Sequence, residues 1–203
     1  QIANAHLTHL KTLLEKSSNG HYGREKAIEI REAAKHSVGA VMPAKSLELR
    51  HTIRLIEELS AEISEIEKAI EGIMDELNCP IATIPGIGIQ TAAVIMAEVG
   101  DFSAFSSPDK ILAYAGMSPS TYQSGQLTSS HAHMEKRGSK YLRTALFSAA
   151  ERVCQWEPGF KAYLAKKRAE GKHYYVAISH AVKKLVRLIY AMMKRGQHYL
   201  RAA

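Results

Sequence analysis

Apolar residues recur every seven positions at Leu49, Ile56, Ile63, Ile70 and Leu77, and a second series, Leu59, Ile66 and Ile73, runs three residues later. This is an a/d heptad seam, with acidic residues filling most of the remaining positions. The spacing predicts a long helix, capped by Ser46, that supercoils with a partner. Isoleucine at both seam positions does not select a parallel dimer, so antiparallel and higher-order arrangements stay open. The expected contacts between copies are Ile56, Leu59, Ile63, Ile66, Ile70, Ile73 and Leu77. The alternative is a long helix packed on its own domain.

The pattern on either side is different. Residues 1–16 read as one short helix, Ser17-Ser18-Asn19-Gly20 as a turn, and 24–37 as a weakly amphipathic helix. Gly39 and Pro43 then interrupt the pattern. After Pro80 the chain becomes IATIPGIGIQTAAVIMAEVGDF, a tight turn leading into an apolar helix over 89–99 that Gly100 ends. Ser107-Pro108 opens a short helix closed by Gly116.

Residues 117–138 show no helical period and are rich in Ser, Thr, Gly and Gln, a length that favours a functional loop. Ser139 caps the next helix, with Leu142, Ala145/Leu146, Ala149 and Val153 as its buried stripe. Pro158 starts another helix, which runs to Glu170. The last, over 174–194, buries Tyr175, Ile178, Val182, Leu185, Ile189 and Met192 and carries His180, Lys183, Lys184 and Arg187 on another face. No β-alternation persists, so the expected class is all-α. The expected parts are a helical linker or tail (1–45), a coiled-coil helix (46–78) and a helical domain (79–203) containing a helix-hairpin-helix element and a long serine-bearing loop.

Composition adds limits. The 203 residues are 46% hydrophobic and 23% charged, an ordinary globular balance that argues against wholesale disorder. No apolar run reaches the roughly 18 residues of a membrane span, so no membrane partner is expected. Two cysteines cannot form a disulfide framework, which points to a reducing, cytoplasmic compartment. The first residue is Gln1, and the chain reads as a fragment or a processed product.

The net charge of +7 is unevenly distributed: residues 130–203 hold 16 Lys/Arg and 4 Asp/Glu, a balance of +12, and residues 1–129 carry −5. Such an asymmetry points to an acidic partner, most often nucleic acid, against the plainer reading of a solubilising surface.

Three groups of residues bear on chemistry. In a helix-hairpin-helix element the Pro85-Gly86-Ile87-Gly88 turn would offer backbone N–H groups to phosphate oxygens without reading sequence, Gly86 and Gly88 allowing the approach. The other reading is a turn between packed helices. The 117–138 segment is dense in hydroxyls, and Lys136, Arg137, Lys140 and Arg143 follow it. A hydroxyl attacking a phosphodiester needs such cations for the charge that builds on the phosphoryl oxygens. Residue chemistry alone does not choose among the hydroxyls, and a polar loop ordered by nucleic acid is the competing reading. His131 and His133, with no carboxylate or cysteine beside them, form an incomplete metal site, so no metal site is expected. Neither Tyr122 nor Tyr141 has the Arg–His–Arg surroundings of a recombinase tyrosine.

The stretches IPGIGIQTAAVIMAEVGDFSAF, ILAYAGMSPSTYQSGQ, KRGSKYLRTALFSAA and AISHAVKKLVRLIYAMM resemble, in order, the C-terminal domain of a transposase family of bacterial insertion sequences. That family also includes pilin-gene inversion recombinases and bridge-RNA-guided recombinases. The resemblance implies an N-terminal RuvC-like domain with a DEDD carboxylate set for Mg²⁺, a coiled coil, and a C-terminal domain with a serine nucleophile before a glycine. Ser124-Gly125, following Ala115-Gly116-Met117-Ser118-Pro119, is the matching position.

By that resemblance Ser124 forms a covalent DNA intermediate, and Lys136, Arg137 and Arg143 contact DNA or a structured guide RNA; Lys140, Lys183, Lys184 and Arg187 are expected to bind nucleic acid from their place in the basic half. The resemblance also implies a bacterial, nucleoid-associated protein. Departures are the missing DEDD set and a Ser129-Ser130-His131-Ala132-His133 stretch less basic than the family's. The chain therefore reads as a piece without the RuvC-like domain, holding no cofactor of its own and inactive alone. The rival function is a non-catalytic nucleic-acid-binding and oligomerisation module.

Overall fold

A computed structural model of the chain describes residues 2–38, 42–118, 123–124, 127–128 and 134–200, the side chains at 123–124 and 127–128 excepted. Among the described residues it is all-α, with eight α-helices and one two-residue β-ladder. Two units divide the chain at residues 58/59, inside a continuous helix.

In the first unit, α1 (Leu7–Ser17) and α2 (Arg24–Lys35) form a helical pair. The turn between them uses left-handed Asn19 and Gly20, and the Ser18 hydroxyl donates to the Leu14 carbonyl while accepting from the Tyr22 amide. Leu10 and Ala27 are its buried apolar side chains among the described residues. Residues 2–4 form a separate 3-10 turn, so the single helix expected over 1–16 is broken at Ala5-His6.

Helix α3 (Pro43–Glu76) starts three residues before the predicted Ser46 cap. Proline at the first helical position has its φ preset and no N–H to leave unpaired, and the Ser46 amide already donates to the Met42 carbonyl. Of the seam residues in the second unit, Leu59, Ile63, Ile66, Ile73 and Leu77 are each more than half exposed, whereas Ile70 packs on the core. Met74, outside the heptad series, is the α3 residue buried there.

The core of the second unit is built on α6 (Lys140–Trp156) and α8 (Tyr174–Arg195). Helices α4 (Ile89–Val99) and α7 (Pro158–Ala169) pack on α6, and α5 (Pro108–Tyr114) packs on α8. Leu142, Leu146, Ala149 and Val153 of α6 and Ile178, Val182 and Leu185 of α8 are removed from solvent, each large side chain stabilising by about 1.5–3 kcal/mol. Tyr175, expected in this stripe, is 61% exposed because it lies in the first turn of α8, beside the ring of Phe147. The Tyr190 hydroxyl donates to the Phe105 carbonyl, fastening the approach to α5 against α8.

Candidate functional site

The serine loop leaves the core at the end of α5 and returns at the start of α6, and its two ends cross. Gly116 has φ +67° and Gly138 has φ +132°, conformations that favour glycine. A Cβ on Gly116 would lie 2.6 Å from the Arg137 carbonyl oxygen, and one on Gly138 would collide with the Tyr114 carbonyl oxygen. The close crossing permits a backbone ladder. The Lys136 amide donates to Gly116 O (3.0 Å), Ser139 N to Tyr114 O (3.0 Å) and Glu135 N to Ser118 O (3.1 Å).

Ser139 then caps α6 as predicted, accepting from the Leu142 amide, and its hydroxyl donates to the Glu98 carboxylate at the end of α4. Inside the loop, β1 (Gln123–Ser124) pairs antiparallel with β2 (Leu127–Thr128), Ser124 opposite Leu127. Ser124 thus lies on the ladder, and residues 125–126 lie outside the described residues. His131 and His133 lie outside the described residues.

The basic residues expected to touch nucleic acid divide into distinct environments. Lys136 and Arg137 are exposed at the crossing, and Lys136 holds a left-handed φ of +55°, a strained state for a residue with a Cβ. Lys140, in the first turn of α6, has its ammonium 5.0 Å from the centre of the Tyr141 ring. Arg143, half-buried one turn later, points inward. Its Nη1 donates to Ala115 O at 2.9 Å and Lys136 O at 3.3 Å, one carbonyl from each end of the loop.

On α8, Lys183 and Arg187 flank Asp109 of α5 at 3.5 and 3.8 Å, an exposed pairing of small energetic weight that leaves both cations accessible. Lys184 covers the rings of Phe160 and Tyr163 and donates to the Gly159 carbonyl, so it joins α7 to α8. Burial, reinforced by the charges of Lys172 and Lys167, holds the His180 imidazole below its ordinary pKa, and at neutral pH it adds no positive charge to this face. Burial pushes the Cys154 thiol up to about 11, which removes it as a nucleophile near neutrality.

The two turn glycines also differ. Ile87 N donates to Ile84 O and Gly86 has φ +94°, the geometry of a type II turn with Pro85 and Gly86 at its centre. A Cβ on Gly86 would lie 2.8–2.9 Å from the Arg152 carbonyl group and the Val153 nitrogen of α6. Gly86 therefore joins the turn to the core. Gly88 is exposed at the N-terminus of α4, which has no side-chain cap, so the open amides of that helix lie on its side. The element preceding the turn, Pro80–Thr83, is a single 3-10 turn.

No group of three or more His, Cys, Asp or Glu side chains converges among the described residues where a metal ion could bind. The divalent ion implied by the sequence resemblance thus has no fitting site among them. No helix among the described residues is long and apolar enough to cross a membrane. The crossed ends of the loop were missed by sequence reading. Gly116 and Gly138 were visible only as helix and loop punctuation, and Arg143 only as a charge.

Residues 80–165, which include the turn, both ends of the loop and Ser124, match the model of the transposase IS116/IS110/IS902 family. Over 137 residues the chain is 31% identical to an uncharacterized 43.6 kDa protein of insertion element IS110 from Streptomyces coelicolor, covering 66% of this chain and 33% of the relative. It is 32% identical over 120 residues to the pilin gene-inverting protein of Moraxella bovis, 59% of this chain and 37% of that protein. A third relative is the transposase for insertion sequence element IS1328 of Yersinia enterocolitica, 29% identical over 143 residues, 68% of this chain and 42% of the relative. The matched region spans roughly a third to two-fifths of each of these relatives' own length.

Proposed function

We propose that this chain is the C-terminal, serine-bearing part of a DNA transposase or site-specific recombinase of the transposase IS116/IS110/IS902 family. The observation that carries the reading is the family match over 80–165, a stretch that contains the glycine crossing and the Ser124 ladder. Relatives named as a transposase and as a pilin gene-inverting protein support the same substrate, DNA.

In this reading Ser124 Oγ attacks a DNA phosphorus. The Oγ–P bond forms as one phosphodiester P–O bond breaks; the serine proton passes to a base, and the departing sugar oxygen takes up a proton. Lys136, Arg137 and Lys140 supply positive charge near the phosphate, with Lys183 and Arg187 contributing to the wider field. Gly88 opens the α4 amides to a second phosphate, in the manner of a helix-hairpin-helix element. The exposed seam of α3 joins copies of the chain, and a structured guide RNA is a further acidic partner for the basic half. The carboxylates and the metal chemistry belong to a RuvC-like domain outside this sequence, so the chain alone is inactive.

The test is adduct trapping with the full-length protein and its element's DNA ends. Wild type is expected to give a denaturant-resistant protein–DNA species, Ser120→Ala to keep it, and Ser124→Ala to lose it by at least 100-fold. An adduct that survives Ser124→Ala overturns the nucleophile. Salt-sensitive DNA binding with no adduct in wild type would instead favour the non-catalytic binding and assembly module.

A further inference from the structure

We propose that Arg143 is a positioning residue that closes the neck of the serine loop, rather than a contact to nucleic acid. The inference rests on the reading of Ser124 as the nucleophile and adds a device that holds together the two ends of its loop. The chain departs at Tyr114–Ser118 and returns at Glu135–Ser139, and these two arms are the roots of everything between them. Their crossing is so close that both inner positions exclude a Cβ. Three amide-to-carbonyl bonds hold it, and the Ala115 and Lys136 carbonyls, one on each arm, both face Arg143. One Arg143 nitrogen supplies both, at 2.9 and 3.3 Å.

The anchor itself is firm. Ala115 is fully buried, and Leu142, adjacent to Arg143, belongs to the core. Ser139, four residues before Arg143, is fastened both to the α6 N-terminus and to Glu98 on α4. Arg143 therefore links the loop's roots to the most buried helix pair of the unit. Its second target, Lys136, is the residue held at φ +55°, a conformation that persists only where the surroundings impose it. A hydrogen bond to the Lys136 carbonyl is one of those constraints, so Arg143 also sets the backbone from which the Lys136 ammonium extends. Both N–H groups of Nη1 are thus committed to backbone carbonyls rather than free for a phosphate.

Two measurements separate this role from phosphate binding. In the 203-residue chain, hydrogen exchange is compared for wild type, Arg143→Met and Arg143→Lys. The methionine keeps the apolar stem and removes every donor. It is expected to speed exchange of the Lys136 and Ser139 amides at least 10-fold while the Ala149 and Ala150 amides in α6 keep their rates, and lysine is expected to restore part of the protection. In the full-length protein, Arg143→Met is expected to lower adduct formation at least 10-fold with DNA affinity and its salt dependence unchanged.

Unchanged exchange together with a salt slope reduced by about one would make Arg143 a phosphate contact and overturn the proposal. Accelerated exchange in a protein whose wild type forms no serine adduct would keep the neck and reject the nucleophile. Should Arg143→Met fail to fold, Arg143→Lys carries the test: full DNA affinity with faster Lys136 exchange supports the neck, and wild-type exchange opposes it.

Discussion

Helices α3 and α8 are written in the same language and meet opposite fates. Each carries an apolar stripe at helical spacing with charge on the remaining faces. On α8 the stripe from Ile178 to Met192 is covered by α6 and its neighbours, whereas the α3 seam from Leu59 to Ile66 stands in solvent. The difference lies in the residues between the large ones. Ala177 and Ala181 on α8, and Ala149 and Ala150 on α6, are fully buried small side chains that let the helices approach. The α3 seam has isoleucine and leucine at heptad spacing, flanked by glutamates that no core could take in. A periodic stripe thus announces burial without saying against what. The small residues beside it indicate whether the cover comes from the same fold.

The sharpest way to break this comparison is to shorten one residue in each stripe. Leu185→Ala on α8 is expected to lower the unfolding free energy by about 2–5 kcal/mol in urea titrations. Ile63→Ala, measured on dilute protein, should change it by less than about 0.5 kcal/mol. Equal losses would mean that α3 is already covered within one chain. The paired change Ile63→Lys and Ile66→Lys should leave the circular dichroism of the monomer intact and shift sedimentation from associated to monomeric species. Persistent association would take the seam out of the interface.

The same division between inward and outward use separates the turn glycines. Gly86→Ala places a Cβ against the α6 backbone at a positive φ and should cost about 1–3 kcal/mol in thermal or urea unfolding. Gly88→Ala, at an open helix start, should cost less than about 1 kcal/mol and weaken DNA binding only if the α4 amides hold a phosphate. A larger stability loss at Gly88 than at Gly86 would reverse the assignment.

A modest effect is expected at Glu157, which caps α7 with its carboxylate on the Phe160 amide at 2.6 Å. Burial alone would raise its pKa, but hydrogen bonds from the Phe160 and Gly159 amides, with Tyr199 and the Lys184 charge, hold it below the usual carboxylate value. A lowered folded pKa contributes stability above the unfolded value, and that contribution disappears as pH falls through the folded one. Glu157→Gln should therefore reduce stability by about 1 kcal/mol at pH 7 and flatten its decline below about pH 4.5. A parallel acid decline in both proteins would remove Glu157 from the linkage.

Much of the fold was readable in advance because its signals are local. Ser139 as a cap, Gly100 as a stop, Pro158 as a start and the α8 stripe each depend on residues within one or two turns. The errors were local signals with two readings. Ser46 is a good cap, yet Pro43 is a better start, and Tyr175 fits the stripe's spacing but falls where α8 is only beginning. The hydroxyl-rich loop and the basic residues downstream were legible as chemistry, whereas the choice of Ser124 came from the family resemblance. The architecture of the site was not legible, since the neck depends on pairing Gly116 with Gly138 across more than twenty residues.

The sequence by itself determined an all-α chain, an acidic heptad helix, a basic C-terminal half and a hydroxyl-rich loop. Periodicity, capping and charge act over a few residues and need no partner to be read. Tertiary structure alone decided which of those residues are committed inside the fold. It set Gly86 against α6, turned Arg143 toward two carbonyls, joined Lys184 to α7 and brought Met74 into the core, while leaving Ile63 and Ile66 outside. Those outcomes depend on which backbone arrives opposite each side chain, and packing between distant segments settles that.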